Sequence, residues 1–251
     1  VYKRQYIMRI ISRLDIKNEF VIKGINLEGL RKIGDPIEIA RQYYLNGIDE
    51  IILIDAVASL YGRNNLFEIV KRTTENLFIP ITLGGGIKSL EDIDKALNSG
   101  ADKIAINSAG IDNPSFIKEA VNNFGASTIT IYIEAKKIQS GIWEAYKYYG
   151  REKTGISVMD WLEEVQNMGC GEILLTSVDH EGTLEGFDLE LISKIKNKIK
   201  VPLIFSGGFG KIEHLNEALK LTKNISFAIA SAFHYKKVDI KKIIYEKNMH
   251  Y

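Results

Sequence analysis

The second half of this chain repeats the first. Four landmark pairs align at nearly constant separations of about 120 residues: Asp15 with Glu134, Glu50 with Glu172, Gly85 with Gly207, and Ser108 with Ser231. Between these landmarks, GIDEIILID matches GCGEILLTS and IPITLGGG matches VPLIFSGG. Because four strands cannot close a sheet alone, we expect the halves, about 1–127 and 128–251, to pair into one domain with pseudo-twofold symmetry.

Short β-branched runs alternate with longer amphipathic segments, which is typical of βαβ units around a buried parallel sheet. At 251 residues, the chain has the usual size of a (β/α)8 barrel, the fold we predict. Segments 16–34 and 135–156 are too long for simple connections, so we predict functional loops there, with a small hairpin in the second. The predicted strands are Met8–Leu14, Glu50–Ile54, Ile81–Leu83, Lys103–Ile106, Thr128–Ile133, Glu172–Thr176, Pro202–Phe205 and Phe227–Ala230.

The composition indicates which binding partners and which cellular compartment to expect for the protein. The 33 Lys and Arg residues balance the 32 Asp and Glu residues, so a broad basic surface for nucleic acid is not expected. Cys170 is the single cysteine, which excludes an internal disulfide and suits a reducing cytosol. No apolar run approaches the roughly 18 residues that a spanning helix needs. We therefore expect a cytoplasmic protein that binds neither membranes nor nucleic acids.

Two acidic residues occupy equivalent places in the halves. Asp15 and Glu134 each follow a predicted strand, the first and the fifth, at the barrel rim where catalytic groups of this fold lie. Across one mouth, one carboxylate can donate a proton while the other accepts one. The alternative is that each caps a loop or pairs with a lysine, but their symmetry favours a general acid/base pair.

Glycine clusters follow the third and seventh predicted strands, at Gly84–Gly86 and at Gly207 and Gly208. Asn107-Ser108 and Ala230-Ser231 follow the fourth and eighth. Glycine lets the backbone approach an anion, and the N–H groups at the start of a helix bind phosphate. Although either cluster alone could be a tight turn, the duplication predicts two phosphate sites and an elongated substrate with an anionic group at each end.

Four charged residues lie at predicted strand starts, which point to the opposite end of the barrel: Arg9, Glu50, Lys103 and Glu172. Charges inside a sheet-lined core are costly unless paired. We therefore predict a ring of salt bridges. The residues alone leave open whether that ring is a plain structural plug or a functional device. The four histidines show no metal-ligand spacing, and no cofactor or metal is expected.

Trp143 and the tyrosines Tyr146, Tyr148 and Tyr149 lie in the second long segment. They could line a lid over the substrate. The other interpretation, slightly favoured, is that the excursion needs its own small apolar core.

Several motifs together resemble the cyclase subunit of imidazole glycerol phosphate synthase, which works with a glutaminase subunit. They extend over nearly the full chain and include RIISRLDIKNEFVIKG, GIDEIILIDAVAS, GADKIAINSA, GEILLTSVDHEGT and SGGFGKIEH. The resemblance implies a lyase-type synthase subunit that uses ammonia released by the glutaminase and binds an anionic, phosphorylated substrate.

The resemblance also implies roles for individual residues. Asp15 matches the acid/base aspartate, with Lys23 near it, and Asp102 matches a residue that docks the glutaminase. The four-charge ring matches the gate of an ammonia tunnel. The implied phosphate-binding positions are Gly85, Gly86, Asn107 and Ser108 on one side, and Gly182, Thr183, Gly207, Gly208, Ala230 and Ser231 on the other.

The chain departs from the family at three places. Glu134 replaces the family's fifth-strand Asp, the loop after the second strand reads SLYGRNN, and Arg13 stands two residues before Asp15. These features resemble a paralogous branch that is associated with surface-polysaccharide synthesis. That resemblance implies an alternative function, in which ammonia amidates the N-acetyl group of a nucleotide-linked or lipid-linked sugar. Two further alternatives are a single-subunit sugar isomerase of the histidine pathway, to which that synthase also belongs, and a non-catalytic scaffold that activates a glutaminase.

Overall fold

A computed structural model describes residues 8–58 and 66–249 of the chain. The loop SLYGRNN, residues 59–65, lies outside the described residues. Eight parallel strands each pair with a neighbouring strand on both sides, so they form a closed barrel. This confirms the (β/α)8 barrel. In barrel order the strands are β1 (Ile10–Lys17), β4 (Glu50–Asp55), β5 (Ile81–Gly84), β6 (Lys103–Ile106), β7 (Ile129–Gln139), β10 (Glu172–Ser177), β11 (Leu203–Ser206) and β12 (Ser226–Ile229).

The strands alternate between two faces, as the period of two requires. On β1, Ile10, Leu14 and Ile16 pack outward in the large core under the helices. Ile11 belongs instead to a small cluster inside the barrel, with residues from six other strands. The same alternation aims Arg9, Arg13 and Asp15 inward with Ile11. The barrel interior is therefore layered, with charged groups at both ends and apolar side chains between them.

Helices cover the outside of the barrel, and two of their starts follow local capping rules. Asp35 accepts hydrogen bonds from the N–H groups of Ile37 and Glu38, and Ser89 accepts one from Asp92. Asp and Ser are both residue types that favour this capping position. The helices are α1 (Pro36–Leu45), α2 (Leu66–Thr74), α3 (Leu90–Asn98), α4 (Ser108–Asp112), α5 (Pro114–Phe124), α6 (Val158–Asn167), α7 (Leu189–Ile195), α8 (Ile212–Leu221), α9 (Ser231–His234) and α10 (Ile240–Met249). None of the helices in the described ranges is long and apolar enough to cross a membrane.

Both long segments form antiparallel strands above the barrel. In the first, β2 (Phe20–Ile25) pairs with β1 and with β3 (Glu28–Gly34). In the second, β8 (Ile142–Lys147) pairs with β7 and with β9 (Glu152–Ser157), so the hairpin prediction is confirmed and extended by one strand.

These hairpins correct the predicted ends of two barrel strands. The first strand was predicted to end at Leu14 and the fifth at Ile133, which would place Asp15 and Glu134 just beyond them. Hairpin pairing instead continues β1 to Lys17 and β7 to Gln139. Both carboxylates therefore project from paired, rigid backbone.

Candidate active site

Asp15 lies at the centre of a buried ion cluster. Its Oδ1 accepts a hydrogen bond from Arg13 Nε at 2.8 Å, and its Oδ2 accepts one from Lys23 Nζ at 3.3 Å. Lys23 projects from β2 and also donates to Glu181 in the loop after β10. Arg13, Asp15, Lys23 and Glu181 are each at most 2% exposed. Two cations thus balance two carboxylates, the condition for keeping such charges inside a protein.

The same contacts set the proton affinity of Asp15. Burial by itself raises the pKa of a carboxyl group, but the positive charges of Arg13 and Lys23 outweigh burial and hold the pKa of Asp15 below its usual range. Asp15 is therefore a carboxylate at neutral pH, suited to accept rather than donate a proton.

Glu134 has the opposite electrostatic environment. It is 1% exposed, and burial raises the pKa of its side chain to about 7, although the Gly150 N–H and Arg13 act to lower it. Its Oε2 accepts a hydrogen bond from the Gly150 N–H at 2.8 Å, which fixes the carboxyl group beneath the β7–β9 hairpin. At neutral pH this group can hold or release a proton.

Arg13 reaches across the barrel. Strands β1 and β7 lie on opposite sides of it, and β10 is next to β7. From β1, the Arg13 guanidinium donates to Tyr132 Oη on β7 at 2.9 Å and to Thr176 Oγ1 on β10 at 2.7 Å. One side chain therefore spans the interior between the apolar layer below and the two carboxylates above.

The glycine clusters lie where their loops approach other backbone closely. Gly85 has φ 92° beside the backbone of Asp55, and Gly208 has φ 97° beside Gly186. A side chain would collide at either position, so the fold itself requires glycine there. Gly86, Gly182 and Gly207 also have positive φ. Tight loop packing is thus one function of these glycines, whether or not an anion binds above them.

The polar residues of the two predicted phosphate sites differ in their contacts. Ser108 Oγ accepts a hydrogen bond from the Tyr148 N–H at 3.0 Å, whereas Ser231 Oγ and Asn107 Oδ1 are buried without a hydrogen-bond partner among the described residues. Thr183 Oγ1 donates to the His180 carbonyl, and Ala230 lies buried just before α9. The second side therefore offers a hydroxyl without a partner at Ser231, while the Ser108 hydroxyl accepts from the hairpin and can still donate its proton.

At the opposite end of the barrel, the four charged residues form a closed ring. Arg9 binds Glu50 at 2.6 Å and Glu172 at 2.5 Å, and Lys103 binds Glu50 at 3.3 Å and Glu172 at 3.0 Å. The structure thus shows the predicted salt bridges. Arg9, Lys103 and Glu172 also line a cavity of about 480 Å³ that opens at this end. Asp102, next to the ring, is exposed and accepts a hydrogen bond from the Ile81 N–H.

Sequence reasoning missed three polar residues at the mouth. Glu181 carries the second anion of the buried cluster, and Tyr132 receives the far end of Arg13. The third, Tyr149, was considered only as part of a hairpin core or lid. Glu181 stands in the quoted motif GEILLTSVDHEGT, so an acidic residue in a loop after a barrel strand was the available signal.

Trp143 is buried and donates to Asp188, which supports the apolar-core interpretation for that residue. In the described ranges, no group of His, Cys, Asp and Glu could hold a metal ion.

Comparison with known proteins identifies relatives over most of the chain. Residues 9–239 match the family model described as "Histidine biosynthesis protein". Three similar proteins share the name "Imidazole glycerol phosphate synthase subunit HisF". The one from Legionella pneumophila is 53% identical over 83% of this chain and 99% of its own length. Those from Hydrogenobaculum sp. (strain Y04AAS1) and Thermococcus onnurineus (strain NA1) are 43% and 45% identical, over 96% and 94% of this chain and 97% and 92% of their own lengths.

Proposed function

Because this chain belongs to the histidine biosynthesis protein family, we propose that it is the cyclase subunit of an imidazole glycerol phosphate synthase and uses ammonia that a glutaminase partner supplies. The observation that carries the proposal is the division of charge along one barrel. A closed ionic ring lies at one end, and a carboxylate from each half lies at the other. The three relatives all bear the name of this synthase subunit, so they do not favour sugar amidation, isomerisation or a scaffold role.

The two carboxyl groups divide the proton transfers. Asp15, held ionised by Arg13 and Lys23, accepts a proton from the substrate during ring closure. Glu134, whose pKa is about 7, is partly protonated at neutral pH and supplies one. Carboxyl groups with separated pKa values are suited to complementary acid and base roles.

The phosphorylated substrate would lie across the mouth. Gly85, Gly86, Asn107 and Ser108 lie beside one end of it, and Gly182, Thr183, Gly207, Gly208, Ala230 and Ser231 beside the other. The free hydroxyl of Ser231 supports this placement on the second side. On the first side, Ser108 Oγ accepts a hydrogen bond from the Tyr148 N–H, and its own O–H can still donate to an anion.

Ammonia would enter at the ring and leave at the mouth. The ring of Arg9, Glu50, Lys103 and Glu172 acts as the gate, and the glutaminase docks on the same end beside Asp102. Above the gate, neutral ammonia crosses the apolar layer around Ile11 and Leu174. It then reaches Arg13, whose side chain must move aside before ammonia can enter the mouth.

The proposal is tested by adding glutamine and the glutaminase partner to the purified chain with each of two acceptors. These are the phosphorylated substrate of imidazole glycerol phosphate synthase and a nucleotide-linked N-acetyl sugar. We expect imidazole glycerol phosphate from the first and no amidated sugar from the second. The reverse result would replace the proposed function with sugar amidation.

A further inference from the structure

The turn between β8 and β9 has an unusual backbone conformation. Tyr148 and Tyr149 have φ 56° and 61°, and Gly150 follows with φ 72°. Left-handed backbone is costly for bulky residues and persists only where surrounding contacts hold it, commonly at functional sites. The turn therefore needs anchors and a reason to keep this shape.

Both sides of the turn are anchored to the barrel. The Tyr148 N–H donates to Ser108 Oγ at 3.0 Å, and the Tyr148 hydroxyl donates to Asp112 at 3.0 Å. The Gly150 N–H donates to Glu134. The residue between these anchors, Tyr149, is consequently fixed in one position.

Tyr149 is buried among the loops that surround the mouth. It is 6% exposed, and its side chain belongs to a cluster with Ile22, Leu27, Ala56 and Val178, which come from loops and strand ends of both half-barrels. This packing accounts for the aromatic ring. It does not account for the hydroxyl group.

The Tyr149 hydroxyl is buried and has no hydrogen-bond partner among the described residues. It lies within electrostatic range of Asp15, Arg13, Tyr132 and Glu181. A buried, unpaired hydroxyl is a cost that phenylalanine would avoid. Burial holds the pKa of Tyr149 well above its usual value, so the group keeps its proton and can donate.

We propose that the Tyr149 hydroxyl is a further substrate-binding group, which donates a hydrogen bond to an uncharged oxygen or nitrogen of the substrate near the reacting atoms. This proposal rests on the proposed function, since it assumes that the substrate reacts in this mouth. Arg13 and Lys23 already balance Asp15 and Glu181. A neutral acceptor fits beside this balanced cluster better than a phosphate, which would add an unpaired anion.

The test is the Tyr149→Phe variant, which removes one hydroxyl and leaves the packed ring. We expect its kcat/KM with ammonium salts and its affinity for imidazole glycerol phosphate, measured by calorimetry, to fall by about tenfold, as expected for one lost hydrogen bond. Its Tm should equal or exceed that of the original protein, because the lost hydroxyl had no partner. The matched control is Tyr245→Phe, which removes a hydroxyl from a side chain that is exposed on α10, outside the mouth, and it should change kcat/KM less than twofold.

Two results would overturn the proposal while leaving the proposed function intact. One is a Tyr149→Phe variant with unchanged affinity and turnover. The other is a variant whose Tm falls together with its activity, because that result would give the hydroxyl a structural role. If the original protein neither binds imidazole glycerol phosphate nor forms it, the proposed function fails, and the Tyr149 contact fails with it.

Discussion

Arg13 and Asp15 are two residues apart on one strand and form a fully buried ion pair, with Nε and Oδ1 2.8 Å apart. Their side chains point to the same side because residues i and i+2 share a face of a strand. The pair does two things at once. It keeps Asp15 ionised without solvent, and it extends a guanidinium to Tyr132 and Thr176 on the far side of the barrel.

Replacing Arg13 by Met should leave a smaller fraction of Asp15 ionised and able to accept a proton from the substrate. Without the guanidinium, burial would raise the pKa of Asp15, so we expect lower activity and an acidic limb of the pH–rate profile displaced to higher pH. At neutral pH the loss should be about tenfold or more, in the range of general-base effects. Arg13→Lys, which keeps a cation beside Asp15, should recover part of the activity. An unchanged acidic limb in Arg13→Met would show that Asp15 does not depend on this pair.

Glu134 should control the alkaline side of the profile. If its protonated form is the acid, kcat/KM measured at constant free ammonia should decline as the pH rises through about 7, by about tenfold per unit well above that value. The Glu134→Asp variant shortens the side chain by one methylene, moves the carboxyl group away from Gly150 and should lose up to about a hundredfold in rate. A Glu134→Gln variant with an unaltered alkaline limb would assign that limb to another group.

The same carboxyl group should make folding stability depend on pH. Its pKa rises from 4.5 to about 7 on folding, so the folded state binds more protons, and stability decreases as the pH rises through this interval. The shift corresponds to about 3 kcal/mol. Glu134→Gln removes the titration and should therefore unfold at higher urea concentration than the original protein at pH 8, with little difference at pH 4. The control is Glu91→Gln, because the Glu91 side chain is exposed. If both variants changed the unfolding urea concentration equally at pH 8, this account would be contradicted.

The ionic ring should matter for glutamine-derived ammonia and much less for the chemistry at the mouth. In the complex with the glutaminase, we expect Lys103→Met to reduce glutamine-dependent synthesis by about tenfold, a reasonable size for coupling through a barrel. Synthesis from ammonium salts should stay within about threefold of that of the original protein. Lys223→Met is the matched control, since Lys223 lines the same lower cavity outside the ring. Equal losses in both assays would make the ring a structural element only.

The sequence predicted the barrel well because its signals are local and repeated. Strand runs such as Lys103–Ile106 depend on neighbouring residues alone. The ring was predictable for a similar reason, because four charges at strand starts must meet at one end of a parallel barrel.

The rest of the site depends on contacts that no local pattern reveals. Hairpin pairing extended β1 and β7 past Asp15 and Glu134, and these pairings join segments that a turn must first bring together. Glu181 joins Lys23 only because two loops from different halves converge. The buried position of Tyr149 depends on a strained turn held by Ser108, Asp112 and Glu134.

The most direct test is to supply the isolated barrel with ammonium salts and the phosphorylated substrate of imidazole glycerol phosphate synthase, and to measure imidazole glycerol phosphate. The original chain should form it, and Asp15→Asn should form at least about a hundredfold less, as expected when a general base is lost. An Asp15→Asn variant that retains full activity would contradict the claim that a buried carboxylate from each half of the barrel serves one reaction.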